Sequence, residues 1–216
     1  MEIWRIILPF VLAVVSAYLI GSINFAIIVS KIFAKKDIRD YGSGNAGMTN
    51  VLRTFGKVPA ILTTVGDFFK GVLAVWLGRY IIVSFGAYVP EYADYLVALP
   101  ALLGHCFPVF HQFKGGKGIL VSAGIIFMLN PWILLIILTV FGVVVALSRM
   151  VSLASISAAV AFPISTLIYG LALNSSNVLI DTILAILMAA MVIFMHRSNI
   201  ERIKNGTESK LFEKKK

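Results

Sequence analysis

Residues 119–147 read ILVSAGIIFMLNPWILLIILTVFGVVVAL. Asn130-Pro131 cuts this apolar stretch into Ile119–Leu129 and Trp132–Leu147, because proline disfavours helix in the residue before it. A membrane span needs about 20 mostly apolar residues to cross about 30 Å of hydrocarbon, and both pieces fall short of that. They form either two short spans or a re-entrant hairpin. The choice sets the number of crossings, and so decides which segments share a side of the membrane.

The same apolar character runs outward in both directions. The other runs are Trp4–Ser30, Val58–Phe85, Tyr92–Phe113, Leu153–Leu173 and Val178–Met195. Of the 216 residues, 59% are hydrophobic and 13% charged. Soluble domains carry about 45–50% apolar and about 25% charged residues, so a soluble fold is excluded. Disorder and a disulfide scaffold are excluded too, since Cys106 is the only cysteine. The expected fold is an all-α polytopic membrane bundle, one domain over 1–216. Its first span is retained, because no small-residue cleavage site follows it.

Charge orients the bundle. Cytoplasmic connections carry the excess of Lys and Arg. Lys31, Lys35, Lys36, Arg39, Arg53 and Lys57 lie in the first connection, Lys114 and Lys117 in the third and Arg149 in the fifth. The tail holds Arg197, Arg202, Lys204, Lys210, Lys214, Lys215 and Lys216. Seven spans put all of these on one face, opposite Arg5, Glu91 and Asp94 and near Arg79. Six spans, with a hairpin at 119–147, would separate the first connection from the tail. Seven crossings are therefore expected, two of them short, with the N-terminus outside and the C-terminus cytoplasmic. The net charge of +9 suits anionic lipid headgroups or an anionic substrate. Neither a nucleic-acid partner nor an obligate protein partner is expected.

Four inner-face segments carry chemistry. The first is Asp40-Tyr41-Gly42-Ser43-Gly44-Asn45-Ala46-Gly47-Met48-Thr49-Asn50-Val51-Leu52-Arg53. Its Gly-x-Gly-x-x-Gly follows a span rather than a strand, so a dinucleotide fold is not expected. A helix starting near Gly47 would turn free N–H groups toward an anion, with Arg53 reaching the same phosphate. The alternative is a plain capping turn, with Arg53 snorkelling to lipid. The second segment is Gly104-His105-Cys106-Phe107-Pro108-Val109-Phe110-His111-Gln112-Phe113-Lys114-Gly115-Gly116-Lys117-Gly118. Two ammonium groups among closely spaced glycines suit a phosphate or acyl phosphate. His105 and His111, six apart, cannot share a metal on one straight helix, and no metal site is expected.

In the third segment, Arg149 to Ser155, Ser152 opens the next span and reads as an N-cap. In the fourth, His196, Asn199 and Arg202 are spaced for one helical face. His196-x4-Glu201 loosely resembles the His-x4-Asp of other acyltransferases, where the histidine is a general base. Asp67 and Lys70, three apart inside Val58–Phe85, are costly at that depth. They read equally as a structural pair or as catalytic groups.

Taken together, the segments resemble the bacterial membrane glycerol-3-phosphate acyltransferases that use acyl phosphate as donor. Nearly the whole chain is covered. The two long glycine segments and His196-Arg197-Ser198-Asn199-Ile200-Glu201-Arg202 occur in the right order. Ala46 replaces the proline of the family's usual Asn-Pro-Gly-Ala-Thr-Asn. The resemblance implies seven membrane helices, a cytoplasmic active site in the inner membrane, and formation of lysophosphatidic acid and phosphate from acyl phosphate and sn-glycerol 3-phosphate. It implies no cofactor, no metal and no use of acyl-CoA or acyl carrier protein. It maps function onto Ser43, Arg53, Lys114, Ser152, His196 and Asn199.

The expected roles follow from that map. Lys114, His196, Asn199 and Ser43 serve catalysis. Arg53, Ser152, Asn45, Thr49, Asn50, Gly115, Gly116 and Lys117 bind substrate, and membrane lipids surround the site. A small transporter or channel for an organic or phosphate anion is the rival reading. It calls for an inverted repeat and midplane polar groups. No repeat is visible, and the polar groups gather on one face apart from Asp67 and Lys70.

Overall fold

The computed structural model describes residues 4–86 and 92–211. Glu91 and Lys214–Lys216 of the charge map lie outside the described residues, as does the Arg5 side chain. All regular structure among them is helical, in two compact units, residues 1–129 and 130–216.

The first unit holds α1 (Trp4–Ser22), α2 (Phe25–Ala34), α3 (Met48–Phe55), α4 (Lys57–Ser84), α5 (Ala93–Cys106) and α6 (Ile119–Leu129). The run Trp4–Ser30, read as a single span, is broken at Ile23-Asn24. Asn24 leaves the helix with extended backbone, and its Oδ1 accepts from the Ile27 amide at 3.1 Å. A capping asparagine of this kind starts a helix even inside an apolar run. α1 packs on both α4 and α5. At Gly104 no side chain separates α1 from α5: a Cβ there would overlap the Tyr18 carbonyl, so the two backbones touch directly. The run Tyr92–Phe113 stops being α-helical at Cys106, because Pro108 and a 3₁₀ turn over Val109–His111 follow.

The second unit holds α7 (Pro131–Ser148), α8 (Val151–Ala172), α9 (Val178–Met195) and α10 (Arg197–Lys204). Asn130 is extended, and its Oδ1 accepts from the amides of Trp132 and Ile133, with Pro131 at the first helical position. The asparagine–proline pair thus ends one helix and starts the next. α8 packs between α7 and α9, and α10 contacts both α8 and α9.

Among the described residues, six helical segments are long and apolar enough to span: Ile7–Ala34, Lys57–Ser84, Ala93–His111, Pro131–Ser148, Val151–Ala172 and Val178–Met195. The eleven residues of Ile119–Leu129 form a shorter apolar helix, about 16 Å long. Large apolar side chains point outward along these helices, among them Phe69, Leu73, Trp76, Leu135, Leu138 and Leu179. Apolar exposure on this scale requires lipid to cover it.

Candidate active site

The first two glycine segments meet within the first unit. α3 begins at Met48, as the glycine pattern suggests, and its axis starts from the extended Gly47. Asn50 builds the loop before it. Its Oδ1 accepts from the Ser43 amide at 3.0 Å, while its two amide hydrogens serve the carbonyls of Ile38, Tyr41 and Asn45. With its side chain consumed by backbone groups, Asn50 shapes the turn and has no hydrogen left for substrate. Ser43 and Arg53 are exposed, and Asn45 and Thr49 are half-buried.

The Lys114–Gly118 loop folds back on the end of α5. The amide of Gly115 donates to the Cys106 carbonyl at 3.2 Å and that of Gly116 to the His105 carbonyl at 3.1 Å. A Cβ at Gly115 would overlap the His105 carbonyl oxygen, and one at Gly116 the His105 ring. These glycines are required by close backbone approach. Their amides, expected to meet a phosphate, are spent on α5 instead. The amides that lack a helical acceptor are those of the first turn of α6, which starts immediately after the loop at Ile119.

Arg53 and Lys114 differ from the other cation of the site, Lys117, which is half-buried and engaged. Both are exposed, and among the described residues neither side chain is hydrogen-bonded or ion-paired. By contrast, Arg39, not singled out from sequence, is fully engaged. Its guanidinium pairs with Asp37 at 2.8 Å and donates to the His111 carbonyl at 3.0 Å. It therefore ties the first connection to the second glycine segment. Those hydrogen bonds hold the Asp37 carboxyl below its ordinary value, against the opposing effect of burial.

The third and fourth segments meet within the second unit, around a carboxylate that sequence reading did not select. Ser152 Oγ donates to Glu208 Oε1 at 2.7 Å, and so does Asn199 Nδ2 at 2.7 Å. Arg202 Nε donates to Glu208 Oε2 at 2.6 Å. Burial pushes the Glu208 carboxyl up, but the hydrogen bonds from Ser152, Asn199 and Arg202 outweigh it and hold the group below its ordinary value. Ser152 is not the helix cap expected of it: α8 starts at Val151 with Met150 at the cap position, and the Ser152 hydroxyl hydrogen is committed to Glu208. The Glu201 partnership suggested by spacing is replaced, since Glu201 is exposed and the carboxylate that joins this cluster is Glu208. His196 Nδ1 lies 2.7 Å from the Val192 carbonyl, which can only accept. The Nδ1 therefore carries a hydrogen.

Within the first unit, Arg53 and Lys114 thus stand as exposed cations beside glycine-rich segments of an apolar helical scaffold. Residues 11–206 match the family described as glycerol-3-phosphate acyltransferase, and the chain belongs to that family. The glycerol-3-phosphate acyltransferase of Ralstonia pickettii is 43% identical, covering 95% of this chain and 96% of its own. That of Bordetella pertussis is 41% identical, covering 94% and 92%. Among solved structures, the glycerol 3-phosphate form of PlsY (YgiH), an integral membrane glycerol 3-phosphate acyltransferase, is 35% identical with a TM-score of 0.82, covering 94% of this chain and 95% of its own. Its lysophosphatidic acid form is 34% identical with a TM-score of 0.77, covering 93% and 94%.

Proposed function

We propose that this chain performs the acylation its family name describes, with an acyl phosphate as donor. The glycerol 1-hydroxyl attacks the acyl carbon, the bond from that carbon to the phosphate oxygen breaks, and the hydroxyl proton leaves with the departing phosphate. The products are 1-acyl-glycerol 3-phosphate and inorganic phosphate. An acyl phosphate is already an activated anhydride, so no covalent intermediate is needed. Cys106, 1% exposed, is not required as a nucleophile.

The observation that carries this reading is the unpaired pair of cations, Arg53 on α3 behind the turn closed by Asn50 and Lys114 on the loop held to the end of α5. Two dianionic headgroups are what such cations lack. Lys114, with the first amides of α6, stabilises charge developing on the donor. Arg53 holds the phosphate of the acceptor. Ser152, its hydroxyl hydrogen committed to Glu208, offers lone pairs to the glycerol hydroxyls. His196 and Asn199 order the acceptor, Ser43 and Thr49 add hydroxyls to the first loop, and Asn45 and Lys117 extend the polar lining. The rival transporter reading has only the buried Asp67–Lys70 pair in its favour and lacks the inverted repeat it calls for.

Purified protein in detergent tests the reaction. Phosphate should appear only when acyl phosphate and glycerol 3-phosphate are both present. Release from either alone, or acylation from acyl-CoA, would count against it. The proton's destination has its own test. With the donor's phosphate as acceptor, His196→Gln lowers kcat by less than the about 10²–10⁴-fold typical of a missing general base. A loss in that full range assigns the base to Nε2 instead.

We further propose seven crossings, α6 included, with the N-terminus outside and the site on the cytoplasmic side. The clustered cations of the first, third and fifth connections and the tail support it. Because Cys106 is the sole cysteine and is buried, introduced cysteines report alone. In right-side-out vesicles, Ser175→Cys should label with an impermeant maleimide and Lys210→Cys should label only after permeabilisation. The reverse pattern contradicts the orientation.

A further inference from the structure

The reaction scheme leaves a buried cluster of two charged side chains and an imidazole unused: Asp67 and Lys70 on α4 and His105 on α5, exposed by only 1%, 3% and 3%. Lys70 Nζ lies 2.8 Å from Asp67 Oδ1, 2.8 Å from His105 Nδ1 and 2.6 Å from the Ile23 carbonyl. The ammonium donates hydrogen bonds to two of these, His105 and the Ile23 carbonyl, and pairs with Asp67 by charge. One of them is the carbonyl freed where α1 breaks before α2. Since Lys70 can only donate, His105 Nδ1 accepts, and the ring hydrogen sits on Nε2. That Nε2 packs against Gly116, whose amide is held by the His105 carbonyl.

The same corner reaches the first glycine loop. Gly116 lies against the Ala46 carbonyl, which also accepts from Asn24 Nδ2 at 3.4 Å. The helix break at Ile23-Asn24, the turn at Ala46 and the loop at Gly115-Gly116 are thus fastened to one buried ion pair. Burying two charges is costly, and their attraction alone rarely repays it. Their geometry indicates what they do instead. They fix one tautomer and one orientation of an imidazole that serves as the floor of the Lys114 loop.

We propose that Asp67, Lys70 and His105 are positioning residues that hold the Lys114–Gly116 loop in register, without touching substrate. The inference rests on the reaction proposed above only for its kinetic readout. The exchange of the loop amides reads it independently.

The test uses Asp67→Asn/Lys70→Met, which removes both charges together and leaves no unpaired ion. In the folded variant, amide exchange over residues 113–118 should quicken relative to α5. KM for acyl phosphate should rise about tenfold, since a misplacement near 1 Å costs up to about 10²-fold. KM for glycerol 3-phosphate should stay within about twofold. KM does not depend on how much of the sample folded, so simple loss of folded protein would not produce this split. If the double variant does not fold, His105→Leu, which keeps the ion pair, carries the same expectation. Unchanged loop exchange and unchanged KM for acyl phosphate in a folded variant would overturn the proposal. A wild type that transfers no acyl group but shows the quickened exchange in the variant would sink the reaction and spare the positioning role.

Discussion

Lys114→Ala should cut acyl transfer by about 10²-fold or more while leaving a folded protein in detergent. The two halves of that result have separate causes. Lys114 is exposed and, among the described residues, unpaired, so its truncation removes no packing and no hydrogen bond. Substitutions of that kind stay within about 0.5 kcal/mol of wild-type stability. The rate is another matter. A cation aimed at charge that grows in the transition state is worth about 10²–10³-fold in kcat, the scale of one lost oxyanion donor. Single-turnover rates alongside a melting curve check both halves. A near-normal rate refutes the role of Lys114, and a lowered melting temperature refutes its being free of structural duty.

Glu208→Ala should do the opposite and damage stability as well as rate. The carboxylate accepts from Ser152, Asn199 and Arg202 at once. Its loss strands the buried Ser152 and Asn199 donors, each at a cost of about 1–3 kcal/mol, while water can still reach Arg202. Two of the side chains assigned to the acceptor substrate then lose their orientation. Glu208→Gln keeps one acceptor oxygen and should fall between. The pH dependence follows from the lowered carboxyl. A carboxylate favoured by the folded state contributes stability that is fully present above its unfolded pKa, ordinarily near 4.5. That contribution is lost as pH falls through the lower folded value. The gap in melting temperature between wild type and Glu208→Gln should therefore be widest at neutral pH and narrow on acidification below about 4. A gap that widens with acid contradicts the account.

Local signals in the chain were readable because they act over a few residues. Asn130-Pro131 ends and starts helices by fixed dihedral preferences, and the structure has its break there. Gly47 and the polar run after it announced α3 for the same reason. The break at Ile23-Asn24 was hidden, because one asparagine in an apolar run is outweighed by its neighbours. Its cap becomes visible only with the Ile27 amide in place. Asn50 shows a different limit. An amide that binds substrate and one that ties a turn are the same residue in a sequence. Four backbone partners decide which it is.

Glu208 was out of reach for a third reason. It sits 56 positions from Ser152, and only the fold of the second unit brings them together. The nearer Glu201 satisfied a spacing rule but faces outward. Asp67 and Lys70 stood between two readings until His105, from another helix, supplied the third member. Long-range polar clusters of this sort leave no periodic trace, whereas the apolar spans that carry them do.

The proposed reaction is a direct transfer between two phosphorylated molecules. Protein given acyl phosphate labelled in the acyl chain, with glycerol 3-phosphate, should yield labelled lysophosphatidic acid and inorganic phosphate in equal amounts. Without the acceptor it should yield neither product and no labelled protein. Phosphate formed without labelled lipid, or label retained covalently on the chain, would contradict it.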